Sequence, residues 1–159
     1  DENGTPAHCM WLVVEGGSSK DIADAIYRKK SYGCNMRGDI EYEIITISNQ
    51  QFIAKWDEPT VVPLYIKFTI QPTRPNITFD TDAIADYMLS KEAFKIGEGA
   101  DTATATALAQ EAIDANGGYG YATEVLISTD QVNWVEYIAP TVATKLSPSD
   151  IDITIEGES

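Results

Sequence analysis

The alternation of apolar and polar positions near the start of the chain predicts a strand, a turn and a helix in succession. The apolar run Met10–Val14 is bounded by turn residues, as a short buried strand is. After a glycine-rich turn, one apolar stripe recurs at helical spacing, formed by Ile22, Ala25 and Ile26. Ser18 stands at the N-cap position of this helix, with Asp21 where a capping box has its acid. We therefore predict a strand over residues 10–15 and a helix over residues 19–31.

The rest of the first half has the pattern of three strands. Residues 40–47 are rich in β-branched and aromatic side chains, and residues 52–56 return after a turn at Asn49, which predicts a hairpin. The alternation is strictest over Val62–Gln71, where Leu, Ile, Phe and Ile share one face and Tyr, Lys, Thr and Gln share the other. A strand with this pattern has one buried face and one face in water.

The second half alternates helical and strand patterns. A helix is predicted from the cap at Thr81–Asp82 to residue 89 or 93, and a second helix from Asp101, with an apolar stripe that matches the helical template. Strands are predicted at three places, residues 122–128, 134–138 and 151–155, with a loop that contains Pro140 and Pro148 before the last.

Two prolines, Pro72 and Pro75, separate the two halves, and we place a subdomain boundary there. The length of 159 residues fits one ordinary domain or two small ones, and 43% apolar residues can fill a core. The sequence thus predicts an α+β fold of two small subdomains, residues 1–72 and 73–159. Each has short helices packed on an antiparallel or mixed β-sheet.

The net charge of −14 is distributed unevenly. Residues 1–72 hold 10 acidic and 7 basic residues, a net charge of −3, whereas residues 73–159 hold 15 and 4, a net charge of −11. An acidic surface repels phosphate backbones and anionic lipids, which argues against nucleic acid and membranes as partners. A solvated surface explains this charge, and so does a docking face for a basic partner or a cation.

No group of residues has the spacing of a catalytic or metal site. The turn Gly16–Ser19 lacks both the Gly-Lys-Ser/Thr ending of a P-loop and the GxGxxG spacing, so we interpret it as a capped turn. The single histidine, His8, adjoins Cys9, and adjacent side chains of an extended chain point opposite ways. One His and two Cys fall short of a structural zinc site. We predict a non-enzyme without cofactor, metal or small-molecule substrate, and with Cys9 and Cys34 as neighbouring free thiols.

Two further groups of residues allow a binding function. The carboxylates of Asp80, Asp82 and Asp86 form either a loose calcium site or, as we favour, the solvated start of a helix. A group of aromatic residues either lines a sugar-binding face or, as we favour, fills a core: Tyr119, Tyr121, Trp134 and Tyr137. A carbohydrate- or receptor-binding module is therefore the alternative function.

Short motifs in the first half follow one another in an order that is typical of one family. They are Gly4-x-Pro6-x-His8, Val13-Val14-x-Gly16-Gly17, Asp21-Ile22-Ala23-x-Ala25-Ile26-Tyr27-x-Lys29-Lys30, Gly33-Cys34, Gly38 and Trp56-Asp57-x-Pro59-Thr60-x-Val62-Pro63-Leu64-Tyr65-Ile66. This order resembles the baseplate J-like family of phage tail proteins over residues 4–71. Residues 72–159 resemble the C-terminal domain of that family in outline, through Ser149-Asp150-Ile151-x-Ile153.

The resemblance implies a structural role, as a wedge component in the baseplate of a contractile tail. The implied partners are other wedge and hub proteins and copies of the chain itself, and the implied location is the virion, after assembly in the bacterial cytoplasm. A further strand usually precedes the first motif in the family, so we expect an open or intermolecularly paired sheet edge. The interface residues that the sequence favours are Arg28, Lys29 and Lys30 at the end of the first helix, and Tyr65, Lys67 and Thr69 on the polar face of the strand Val62–Gln71.

Overall fold

The computed structural model describes residues 7–31 and 33–157. The chain divides into two compact units, unit 1 (Asp1–Thr60) and unit 2 (Val61–Ser159). Within residues 7–31 and 33–157, three helices and several small sheets give an α+β fold of small subdomains, which confirms the predicted fold class. The division lies before residue 61 and not after residue 72, because the strand that begins at Thr60 pairs with strands of unit 2.

Unit 1 contains one helix and four strands within its described residues. In chain order they are β1 (Cys9–Trp11), α1 (Ser19–Lys29), β2 (Asn35–Arg37), β3 (Ile40–Ile45) and β4 (Gln51–Trp56). β1 pairs with β2 in parallel, and β3 pairs with β4 in the predicted antiparallel hairpin. Beyond β1, the segment at Val13 forms a parallel bridge with Asp57, directly after β4.

The core of unit 1 lies between α1 and the hairpin. Its buried residues are Ala23, Ile26, Ala54 and Trp56. α1 begins as predicted, since the Ser18 hydroxyl accepts a hydrogen bond from the Asp21 N–H at 3.2 Å and itself donates to the Asp21 carboxylate at 2.6 Å. It ends at Lys29 and not at residue 31, because Lys30 has an extended conformation.

Unit 2 is built on a three-stranded sheet with the order β7–β5–β9. Its elements are β5 (Thr60–Pro72), α2 (Thr81–Leu89), β6 (Ala100–Asp101), α3 (Thr102–Ala115), β7 (Gly120–Ser128), β8 (Tyr137–Ile138) and β9 (Thr144–Ile155). β5 and β7 are antiparallel, and the short β6 and β8 form a separate antiparallel pair. The Val135 backbone also bridges to Ile127 and so extends the sheet beyond β7.

Helices α2 and α3 cover one face of this sheet. The predicted alternation of β5 holds, because Leu64, Ile66, Phe68 and Ile70 are all buried. They join Ile84 and Met88 of α2 and the apolar stripe of α3 in one core. The other face of the sheet is therefore the face that solvent and partners can reach.

Several predicted boundaries in unit 2 are wrong. The cap of α2 is Asp80 and not Thr81–Asp82, since the Asp80 carboxylate accepts from the Ala83 N–H at 3.0 Å. The last strand begins at Thr144 and not at residue 151, and it contains Pro148, for which the sequence predicts a loop. Because β9 is at the edge of the sheet order, a residue without an N–H is tolerated there.

Candidate functional site

The face of the unit 2 sheet that points away from the helices carries polar and charged side chains from every strand. Tyr65, Lys67 and Thr69 project from β5, because the residues between them are buried on the opposite face. Lys67 pairs with Leu126 of β7, and Thr69 pairs with Thr123. The sequence-predicted interface residues of β5 thus lie side by side on an accessible sheet face.

Two hollows on this face share lining residues, and we call the two together the sheet groove. The first has a volume of about 480 Å³ and the second about 440 Å³, and both are lined by Lys67 and Asp152. Glu124 and Glu136 contribute to the first hollow. Trp134 lines the second, together with Asp150. The sheet groove therefore combines the aromatic side chains of Tyr65 and Trp134 with one cation and several carboxylates, drawn from β5, β7, β9 and the segment before β8.

The charges of the sheet groove do not cancel. It contains the four carboxylates of Glu124, Glu136, Asp150 and Asp152 and the single ammonium of Lys67, a net charge of −3. The Lys67 Nζ lies 4.3 Å from the centroid of the Trp134 ring, a cation–π contact. Within the described chain the structure records no ion pair of Lys67 with a carboxylate, and no hydrogen bond to the side chains of Glu136 and Asp152.

A tight loop between Ser128 and Asn133 positions Trp134 in the sheet groove. The Asp130 carboxylate accepts hydrogen bonds from the Asn133 N–H at 2.8 Å, the Asn133 amide at 2.7 Å, the Val132 N–H at 2.9 Å and the Ser128 hydroxyl at 2.9 Å. These hydrogen bonds stabilise the ionised carboxylate and hold the pKa of Asp130 well below its usual range. The bond from the Asn133 N–H makes the largest contribution. The loop folds back as a result, so that Val135 pairs with Ile127 and the Trp134 ring reaches Lys67.

A β-bulge brings Glu124 to the sheet groove. The register between β5 and β7 shifts between Lys67 and Thr69, so that one extra residue of β7 is accommodated. Glu124 has a φ of 50° at this place, a left-handed conformation that costs free energy for a residue with a side chain. Its carboxylate accepts a hydrogen bond from the Thr69 hydroxyl at 3.3 Å.

Unit 1 carries a second concave surface, which is apolar. A groove of about 440 Å³, which we call the apolar groove, lies between the β1 segment and α1. Its walls are Met10, Leu12 and Val14 on one side and Ile22, Ala25 and Ile26 on the other. Asp21 lines it near the start of α1, and Lys29 and Lys30 line it near the end.

The apolar groove borders a strand edge without a described partner. Hydrogen bonds of 2.9–3.0 Å join the backbone of His8, Leu12 and Val14 to β2 and to Asp57. Successive residues of a strand direct their backbone groups to opposite edges, so the backbone groups of the odd-numbered residues 9–13 face the other edge. Among residues 7–31 and 33–157, no strand pairs there.

The predicted basic end of α1 does not form one site. Lys29 and Lys30 lie on the rim of the apolar groove. Arg28 lines a different hollow of about 540 Å³ between the end of α1 and the turn of the β3–β4 hairpin, and Lys30 lines this hollow as well. The structure therefore divides the six predicted interface residues among three surfaces: the β5 residues line the sheet groove, Lys29 and Lys30 line the apolar groove, and Arg28 lines the third hollow together with Lys30.

The prediction that the aromatic residues Tyr119, Tyr121, Trp134 and Tyr137 fill a core is wrong. The exposed fractions of Tyr119, Tyr121 and Tyr137 are 49%, 59% and 59%, and Trp134 is half-buried. Trp134 lines the sheet groove, whereas none of the three tyrosines does. Tyr119 instead has the Arg74 guanidinium 5.2 Å from its ring centroid.

The remaining candidate residues have ordinary environments. Cys9 and Cys34 are free thiols, and Cys9 of β1 pairs with Asn35, the residue that follows Cys34. Asp80 caps α2, which accounts for one of the three carboxylates considered for calcium. Within the described ranges, no three His, Cys, Asp or Glu side chains lie close enough together to hold a metal ion. None of the described helices has the length and apolar character that crossing a membrane requires.

Comparison with protein-family models finds no family that matches the chain, and comparison with curated proteins finds no match either. The resemblance of residues 4–71 to the baseplate J-like family therefore rests on the motifs given above.

Proposed function

We propose that the chain is a structural component of the baseplate of a contractile phage tail, a wedge protein that acts through contacts between subunits. The observation that carries this is the apolar groove beside the edge of β1 with which no strand of the described residues pairs. Exposed strand edges pair with other chains, and exposed apolar surfaces mark interaction sites. In this function the chain belongs to the tail baseplate of the virion, is assembled in the bacterial cytoplasm, and contacts other wedge and hub proteins and copies of itself.

The charges around the apolar groove favour a second copy of the chain as its occupant. Asp21 lies near the start of α1, whereas Lys29 and Lys30 lie near its end, and all three line the groove. In a two-fold interface the same surface meets itself, and the two helices run in opposite directions when the two-fold axis is perpendicular to them. Asp21 of one copy then faces Lys29 and Lys30 of the other, while the two β1 edges can pair as antiparallel strands.

Incorporation into tail particles tests this function. Ala25 is exposed on α1 and lines the apolar groove, so Ala25→Glu places a charge there without a cost to the fold. Ser19→Glu makes the same change of charge on the same helix outside the groove. We expect purified tails to contain the unmodified chain and the Ser19→Glu chain but not the Ala25→Glu chain. Tails that contain all three, or none, would contradict the proposal.

A carbohydrate- or receptor-binding module is the second candidate. The observation that favours it is the half-buried Trp134 ring beside the carboxylates of the sheet groove, because sugars stack on aromatic rings and donate hydrogen bonds to carboxylates. Binding of a glycan that perturbs Trp134 would support this candidate over the structural one.

A further inference from the structure

We propose that the sheet groove binds an extended segment of a partner protein that carries Lys or Arg at alternate positions. The groove has a net charge of −3, and its Glu136 and Asp152 carboxylates have no recorded partner among the described residues. A cationic segment would give these carboxylates the partners that they lack. This inference rests on the proposed function only in assuming that the chain acts by binding other proteins. It concerns the sheet groove of unit 2, whereas the proposed function concerns the apolar groove of unit 1.

The spacing of the carboxylates favours an extended segment. Asp150 and Asp152 are alternate residues of β9, so they project from the same face at a separation of about 6.6 Å. Alternate side chains of any extended chain have that same spacing. An extended segment along β9 can therefore place successive basic side chains opposite Asp150 and Asp152.

The distribution of the carboxylates also distinguishes a polypeptide from a metal ion. No three acidic side chains in the described chain lie close enough to share one ion. Separate carboxylates along a groove instead suit separate cations that are linked to one another, as the side chains of a peptide are.

The contact between Lys67 and Trp134 shows how the sheet groove holds a cation. The ammonium lies 4.3 Å from the ring centroid, with carboxylates on both sides along the groove. A guanidinium or ammonium of the partner would find the same two elements, an aromatic ring and a carboxylate. Lys67 therefore acts as an internal competitor for the cation of a partner.

Titration of the full chain with a short synthetic peptide of alternating Arg and Thr tests the proposal. Binding is followed by the amide resonances of β5 and β9 and by the indole resonance of Trp134, at low ionic strength where surface charges are least screened. We expect shifts confined to the sheet groove. No binding at low ionic strength would overturn the proposal, and so would binding of neutral oligosaccharides at Trp134 without binding of the peptide.

Charge-matched variants separate this site from a general attraction to an acidic protein. The double variant Glu136→Gln and Asp152→Asn should weaken binding about 10-fold, as the loss of two exposed ion pairs does. The control Asp82→Asn and Asp86→Asn makes the same change of charge on α2, which covers the opposite face of the sheet. An equal loss in both double variants would overturn the proposal.

Removal of the internal cation gives a test in the opposite direction. Lys67→Met should strengthen peptide binding about 5- to 10-fold. It removes the ammonium that competes with the peptide for the carboxylates of the sheet groove and for one face of the Trp134 ring. Lys95→Met removes an exposed charge that does not line the sheet groove and should have little effect. Equal affinities for the two variants would contradict the assignment. Failure of these experiments would leave the particle experiment on the apolar groove untouched, since that experiment concerns unit 1.

Discussion

Gly38 is the position where the packing of unit 1 can be tested most sharply. A Cβ atom added there would lie 2.4 Å from the backbone N of Trp56 and 2.5 Å from its Cα and C atoms. These are backbone atoms of a residue that is 2% exposed, so no side chain can rotate to make room. Gly38 also has a φ of 155°, which residues with a side chain rarely adopt. Gly38→Ala should therefore disrupt the contact between β2 and β4.

Gly33 provides the matched control for this substitution. It has a φ of 79°, but an added Cβ atom would meet nothing within 4 Å. Gly33→Ala should cost about 1–2 kcal/mol from the backbone conformation alone. Gly38→Ala adds the cost of overpacking, which brings the total to about 2–5 kcal/mol. That is a large share of the stability of a unit of this size, which is roughly 3–9 kcal/mol at 0.05–0.15 kcal/mol per residue.

Urea denaturation of the full chain can be monitored through its indole N–H resonances. The unfolding of unit 1 and the unfolding of unit 2 are then measured separately in the same sample. Trp56 reports on unit 1, because it belongs to that core, and Trp134 reports on unit 2. We expect the midpoint for Trp56 to fall much further in Gly38→Ala than in Gly33→Ala. Equal losses in the two variants would refute the close approach of the Gly38 backbone to Trp56.

Three further predictions concern the two surfaces. Ala25→Glu should weaken self-association of the chain about 10- to 100-fold, measured by sedimentation, because burying the new charge in the apolar groove costs free energy that Lys29, one helical turn on, offsets only in part; Ser19→Glu should leave it unchanged. Glu124→Gly should raise the free energy of unfolding of unit 2 by about 0.5–1 kcal/mol in a urea titration, since glycine relieves the left-handed conformation. The pKa of Asp130 is lowered, so its contribution to loop stability is present above the ordinary Asp pKa of about 3.9 and lost as pH falls through the lower folded-state pKa. An NMR pH titration should therefore show the Trp134 indole signal unchanged down to about pH 4, and Asp130→Ala should abolish that signal position at every pH.

The elements with a strict period were predictable from the sequence. The alternation of β5 correctly assigns its buried and exposed faces, and the apolar stripe of α3 correctly predicts a buried helix. β2 could not be predicted in this way, because it is three residues long and owes its conformation to pairing with β1. The start of β9 was missed because Pro148 suggests a loop, and its place at a sheet edge is a tertiary property.

The candidate site was predictable only in part, for a related reason. Tyr65, Lys67 and Thr69 follow from the period of a single strand. The carboxylates around them come from other strands, and only the sheet order brings Glu124 and Asp152 to the same groove. A sequence signal for the Trp134 loop did exist, since an Asp two residues after a Ser and three before an Asn is typical of a tight turn.

Immunogold labelling of purified tail particles tests the central claim most directly. Particles are isolated from cells that carry the gene and labelled with an antibody against this chain, and the position of the label along the tail is recorded. The proposed function predicts label confined to the baseplate end. Label on the tail fibres would favour the receptor-binding alternative, and the absence of label from every particle would contradict a role in the phage tail.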